Sequence, residues 1–139
     1  MRTGLGEVVA RLPADVELVC PDAPHETAAA TVDRIYSFSG APRLAPPYRS
    51  WWDASDEGRV YEGWDRTRDS LRDLVAPLAR VGVLGFSQGA ILAAALAALS
   101  DHGAFPPIAF VILIAGRTPR ADAIVPFLER PISIPSLCR

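Results

Sequence analysis

The pentapeptide Gly85-Phe86-Ser87-Gln88-Gly89 constrains this chain more than any other stretch. It joins an apolar run, Val81-Gly82-Val83-Leu84, to an apolar run of helical character, Ala90-Ile91-Leu92-Ala93-Ala94-Ala95-Leu96. A G-x-S-x-G pattern between strand and helix predicts a sharp, strained turn that lifts a serine Oγ out of the sheet edge. The flanking glycines avoid a Cβ clash there. The backbone N–H of Gln88, first in the helix, would point at the same spot and supply half of an oxyanion hole. Ser87 is therefore the candidate nucleophile, against the plainer reading of a small residue in a tight turn.

The rest of the chain reads as the scaffold of such a turn. Asp101-His102-Gly103 stops the helix, and Ile108 to Ala115 is a continuous apolar run rich in β-branched residues. With Val81 to Phe86 it predicts two strands buried on both faces and joined through a helix, a right-handed parallel βαβ unit. Ala121 to Glu129 has the pattern of a short helix, and Pro131 to Leu137 that of the entry into another strand. Upstream, Leu5, Val8, Val9 and Leu12 share one face of a helix over Gly4 to Leu12, which Pro13 ends. A strand over Val16 to Cys20 stops at Pro21, and Asp22-Ala23-Pro24-His25 follows as a loop where open α/β sheets place their ligands.

Glu26 to Gly58 reads as irregular, with Pro42, Pro46 and Pro47, adjacent Trp51 and Trp52, and an acidic tip at Asp53, Asp56 and Glu57. A loop that long is usually functional or disordered, and its aromatic residues argue against disorder. Periodicity returns with Tyr61, Trp64, Leu71, Leu74, Val75 and Leu78 on one helical side and Arg66, Arg68, Asp69, Arg72 and Asp73 on the other. The charges read as a solvated face, in which a Glu62 and Arg66 pair would contribute only about 0.3 kcal/mol.

Composition narrows the partners. The 139 residues, half of them hydrophobic, suffice for a single soluble domain, and a net charge of -2 leaves no basic face for nucleic acid or membrane. All 14 basic residues are arginine, so lysine base or Schiff-base chemistry is excluded. Two cysteines, Cys20 and Cys138, make no disulfide framework, and with no signal peptide pattern the expected compartment is the reducing cytoplasm. Cys20 at the end of a buried strand reads as a small hydrophobe. Asp22, His25 and Glu26 lack metal-site spacing, and the glycines match no phosphate loop, so no metal and no cofactor are expected.

The string Gly85 to Ala90 resembles the elbow of the eukaryotic, largely fungal, serine hydrolase family of the α/β-hydrolase superfamily. That family includes the ovarian-tumour-associated hydrolase and polyketide-releasing thioesterases. Three further pieces are similar to it in order: Asp22-Ala23-Pro24-His25, the run Arg49 to Trp52 followed by Tyr61-Glu62-Gly63, and Ile134-Pro135-Ser136-Leu137. The resemblance implies a partial α/β-hydrolase fold, α/β with a mostly parallel sheet and helices on both faces, over residues 1–139 as one incomplete domain. It implies hydrolysis of a small-molecule ester or thioester through an acyl-enzyme on Ser87. In the family a strand and a His-Gly loop, the source of the second oxyanion donor, precede the first helix. Its acid and histidine follow the Ile-Pro-Ser-Leu strand. The chain thus resembles the middle of a larger hydrolase and is expected to be inactive alone. In the superfamily sheet the absent strand lies between Val16–Cys20 and Val81–Phe86, so bare edges or a non-family pairing are expected, with poor stability and self-association or a completing chain.

The histidines are weighed against that layout. His102 lies about fifteen residues, ~20 Å, along the elbow helix from Ser87 and reads as a polar residue at a helix end. His25 sits two strands from the elbow, ~10 Å, and reads as a loop-ordering or pocket residue rather than a base. Asp101, Asp122 and Glu129 read as surface carboxylates. Trp51 and Trp52 either wall an acyl pocket or pack the long loop onto the body. Two alternatives to catalysis stay open: a non-catalytic fragment, and a small-molecule or partner-binding remnant of the hydrolase fold.

Overall fold

A computed structural model of the chain describes residues 6–39, 43, 45–55 and 57–139. Its centre is a parallel sheet ordered β5-β6-β7, with β5 at Gly82–Phe86, β6 at Phe110–Ile114 and β7 at Ser136–Cys138. The register pairs Gly85 with Leu113 and Phe86 with Ile114, and on the far side Leu113 with Cys138. Helix α4, Gln88–Asp101, crosses over from β5 to β6 and packs against both. The expected βαβ unit is therefore present, and the α/β class with it.

Helix α4 holds the core because its sequence is alanine and leucine almost throughout. Ala93, Ala95, Ala97 and Ala98 are fully buried, and their small side chains let the helix lie close to the sheet. Leu92, Leu96 and Leu99 share one buried cluster with Trp64, Leu71 and Val75 of helix α3, Trp64–Val75. Each such leucine, fully buried, contributes roughly 2 kcal/mol. The helix ends as the sequence indicates: Gly103 takes φ +71°, and the amides of His102, Gly103 and Ala104 close onto Ala98, Ser100 and Leu99 carbonyls.

Several expectations are corrected. Glu26 to Gly58 is not irregular throughout: helix α2 spans Ala29–Ser39. Its periodicity is faint because Val32 is buried while Ile35 is 55% exposed. The same region holds three two-residue strands, β1 (His25–Glu26), β2 (Arg49–Ser50) and β3 (Asp53–Ala54), and β4 follows at Tyr61–Glu62. These pair antiparallel as β1 with β2 and β3 with β4. In α3 the buried stripe is Trp64, Thr67, Leu71 and Val75, whereas Leu74 and Leu78 are exposed. Glu62 lies in β4, ahead of the helix, and the pairs on the solvated face are Arg68 with Asp65 and Asp69, and Arg72 with Asp69.

The sheet is not buried on both faces. Alternation sends Val83, Gly85, Val111 and Leu113 toward α4, while Leu84, Phe86 and Phe110 on the opposite face are 42%, 53% and 42% exposed. Val16 to Cys20 forms no strand, and Val16, Leu18, Val19 and Cys20 are exposed. Among the described residues β5 pairs on one side only, with β6. The N-terminal helix is described as α1, Gly6–Val9, and Gly4 and Leu5 lie outside the described residues, as do Pro42 and Asp56. Ala121 to Glu129 contains a 3₁₀ turn at Val125–Leu128.

Asp101 is more than a surface carboxylate. At the last residue of α4 it accepts the Ser133 hydroxyl on Oδ1 and the Ser133 N–H, 3.2 Å, on Oδ2, which fastens the approach to β7. These bonds, the hydroxyl first, hold its carboxyl below the usual carboxylate range. A lowered folded value means stability present above the unfolded value and lost as pH falls through the folded one. Asp101→Asn is expected to lower the melting temperature at pH 7, with the gap to wild type closing below about pH 4. Melting curves of both proteins at pH 7 and pH 3 check this.

Candidate active site

Ser87 stands at the junction of β5 and α4 with φ 52° and ψ −116°, a conformation that costs a non-glycine residue of order 1–3 kcal/mol. The surroundings impose it. Ser87 N–H still donates to Ile114 O at 3.0 Å, continuing the parallel ladder, while its own carbonyl already accepts from Ala90 and Ile91 as the start of α4. One residue thus serves both elements, and its side chain is left exposed at the carboxyl edge of the sheet. The first intrahelical bond belongs to Ala90, so the Gln88 and Gly89 amides precede the ladder at the positive end of the helix dipole.

Glycine is obligatory at Gly85. A Cβ there would lie 2.6 Å from Ala90 N and still nearer the Gly89 carbonyl, both backbone atoms that cannot step aside. Gly116 is similar, since a Cβ would come within 2.5 Å of Ala90 Cβ. Gly89 is different: a Cβ there would meet only Trp51 Nε1 at 4.0 Å, which is ordinary contact. Ala115, ending β6 beside Ser87, also takes φ 52°, and its N–H donates to Arg139 O at 2.8 Å.

The two family-like pieces upstream meet one another and the elbow. β1 pairs with β2, setting His25 opposite Ser50, and the backbone continues directly into Trp51. Trp51 N–H donates to Gln88 Oε1 at 3.0 Å, and Gln88 Nε2 donates to Trp52 O at 3.0 Å. The Trp51 carbonyl accepts the hydroxyl of Thr67, which is fully buried. His25 Nε2 lies 3.0 Å from Gly63 O and 3.4 Å from Thr67 Oγ1. A carbonyl only accepts, so Nε2 carries the proton. Gly63 takes φ +84° and lies against the imidazole, where a Cβ would overlap the ring.

His25 thus orders the loop, and Ser87 Oγ makes no hydrogen bond with either histidine among the described residues. His102, at the far end of α4, has Nδ1 3.3 Å from Arg130 and its ring edge-on to Phe127. Asp122 pairs with Arg59 at 2.8 Å, and Glu129 is exposed. Trp52 is 3% exposed, stacked on Tyr61 at 4.4 Å and edge-on to Trp64, so it packs the loop. Trp51 is half-buried with its indole beside Gly89. A cavity of about 520 Å³ opens at the carboxyl ends of β6 and β7, lined by Ala90, Leu113, Gly116, Leu128 and Cys138 among others. Among the described residues no cluster of three His, Cys, Asp or Glu is arranged for a metal, and no helix is long and apolar enough to cross a membrane.

The sequence alone points neither to Thr67 nor to the Gln88 side chain, and it places Gly63 in a family-like run without its contact to His25. Thr67 carries a signal in hindsight, being a hydroxyl on the buried stripe between Trp64 and Leu71, where an apolar residue is the norm. The Gln88 carboxamide carries none, because its partners lie 36 and 37 residues away.

Residues 2–138 match the family model described as Serine hydrolase (FSH1). The chain belongs to the FSH1 serine hydrolase family. It is 36% identical to Esterase OVCA2 of Mus musculus over 136 residues, covering 87% of this chain and 59% of that protein. It is 34% identical to Esterase OVCA2 of Homo sapiens, covering 87% and 60%, and 33% identical to that of Bos taurus, covering 87% and 60%. The chain therefore spans about three fifths of the length of the curated relatives it matches. No solved structure matches it. Within this family member, the close β5–α4 contact at Gly85 and the positive φ of Ala115 predict opposite outcomes for two small substitutions. Gly85→Ala is expected to cost about 3 kcal/mol or more by overpacking against backbone. Ala115→Gly, which relieves a positive φ, is expected to gain about 1 kcal/mol. Urea unfolding midpoints of the two variants measure both.

Proposed function

We propose that Ser87 is the nucleophile of a carboxylic ester or thioester hydrolase, with the Gln88 N–H as an oxyanion donor. The observation that carries this is the backbone of Ser87, φ 52° and ψ −116°, kept at the junction of β5 and α4 with the hydroxyl exposed. A strained non-glycine residue that a glycine would replace without strain is retained for its side chain. In the reaction Ser87 Oγ adds to the acyl carbonyl as its proton leaves to a base. The oxyanion is met at the positive end of α4, collapse expels the alcohol or thiol, and water then releases the acid.

Among the described residues neither histidine is placed to act as the base of that scheme. His25 is engaged with Gly63 and Thr67, and His102 is at the wrong end of α4. We infer that the isolated chain binds esters but does not turn them over, that it works in the cytoplasm, and that the edge of β5 unpaired among the described residues is where another chain or copy would add.

The experiment is labelling of the folded chain with a fluorophosphonate while imidazole is added as an external base. Labelling that rises with imidazole and vanishes in Ser87→Ala is the expected result. Labelling equal in Ser87→Ala, or equal in the denatured chain, overturns the assignment. Ser87→Gly should moreover raise stability by about 1 kcal/mol in urea unfolding while abolishing labelling.

A further inference from the structure

The Gln88 side chain makes a contact that a turn or an oxyanion donor does not require. Its carboxamide faces the Trp51–Trp52 backbone as a neighbouring strand would, accepting from Trp51 N–H and donating to Trp52 C=O, each at 3.0 Å. Behind that pair the Trp51 carbonyl is held by Thr67, whose Oγ1 lies 3.4 Å from His25 Nε2. Trp52 is buried against Tyr61 and Trp64 and anchors the segment. Both backbone groups of Trp51 are thereby fixed, and its half-buried indole is left beside Gly89, two residues from Ser87.

We propose that Gln88 is a positioning residue whose carboxamide locks Trp51 onto the first turn of α4, making the Trp51 indole the wall that sorts acyl groups approaching Ser87. The sorting role rests on the reading of Ser87 as nucleophile; the lock does not. A carboxamide is suited to the task because one planar group supplies both the acceptor and the donor that a strand edge needs. An ionised carboxylate supplies only acceptors, and leucine supplies neither.

The test uses the full chain in wild-type, Gln88→Glu and Gln88→Leu forms. The indole N–H resonance of Trp51 is followed by NMR and assigned with Trp51→Phe. Both Gln88 variants are expected to move it at pH 7. In Gln88→Glu it should return toward the wild-type position as pH falls, because the protonated carboxyl regains a donor. Facing the Trp52 carbonyl, that group should titrate above the ordinary value of about 4.3. Gln88→Leu should show no return. In parallel, imidazole-assisted labelling rates are compared for a methyl-sized and a bulky fluorophosphonate. Their ratio is expected to change by about tenfold in Gln88→Leu and in Trp51→Ala, the scale set by misplacement near a reacting centre. An indole unmoved by Gln88→Leu, or moved in Gln88→Glu without return at low pH, overturns the lock. An unchanged ratio overturns the wall. A Ser87 that stays unlabelled in wild type, with the indole shifts as expected, overturns the nucleophile reading and the sorting with it, but not the lock.

Discussion

The contact between Gly85 and the Gly89–Ala90 backbone is the constraint on which the architecture turns. No side chain intervenes there, and a single Cβ would overlap main-chain atoms. Because the first turn of α4 lies directly on the end of β5, the chain must reverse within one residue, and Ser87 absorbs the reversal at φ 52°. Its amide still completes the ladder to Ile114 while its carbonyl begins the helix. The strain at Ser87 and the exposure of its hydroxyl are thus two consequences of one close approach. The buried alanines of α4 carry no large side chain to hold it off, and the helix packs against β5 and β6.

A second layer of structure depends on that turn being rigid. Gln88, the first residue of α4, is both an amide donor at the helix N-terminus and, through its side chain, the pairing edge for Trp51 and Trp52. From there hydrogen bonds run through Trp51 to Thr67 and His25, and aromatic packing runs through Trp52 to Tyr61 and Trp64. Trp51 and Trp52, 36 to 37 positions from Gln88, meet it directly, and His25 joins the network through Thr67. His25 belongs to this scaffold: its protonated Nε2 is spent on Gly63, a carbonyl that accepts and never donates.

The strand, turn and helix around Ser87 were legible because every determinant is local: an apolar run, glycines at fixed offsets and an uninterrupted alanine-leucine helix. Strand β7 was legible for the same reason, as was the Gly103 stop. Helix α2 was not, since one buried Val32 against an exposed Ile35 leaves no periodic contrast. The continuous apolar runs of β5 and β6 imply burial on both faces, yet Leu84, Phe86 and Phe110 face outward. A run of hydrophobic residues states what a strand tolerates, not what covers it.

The amino-acid sequence alone determined where the backbone turns, which serine occupies the turn and which family the pattern resembles. Those follow from short-range sterics and periodicity. Only the tertiary structure decided that Trp52 packs against Tyr61 and Trp64, that the Trp51 backbone pairs with the Gln88 carboxamide, that Thr67 is buried with its hydroxyl bound, and that His25 Nε2 meets the Gly63 carbonyl. The physical reason is range. Each of those roles is set by a hydrogen bond or ring contact between residues nine to 42 positions apart, with most of the separations above fifteen. No spacing rule connects positions that far apart until the chain has folded.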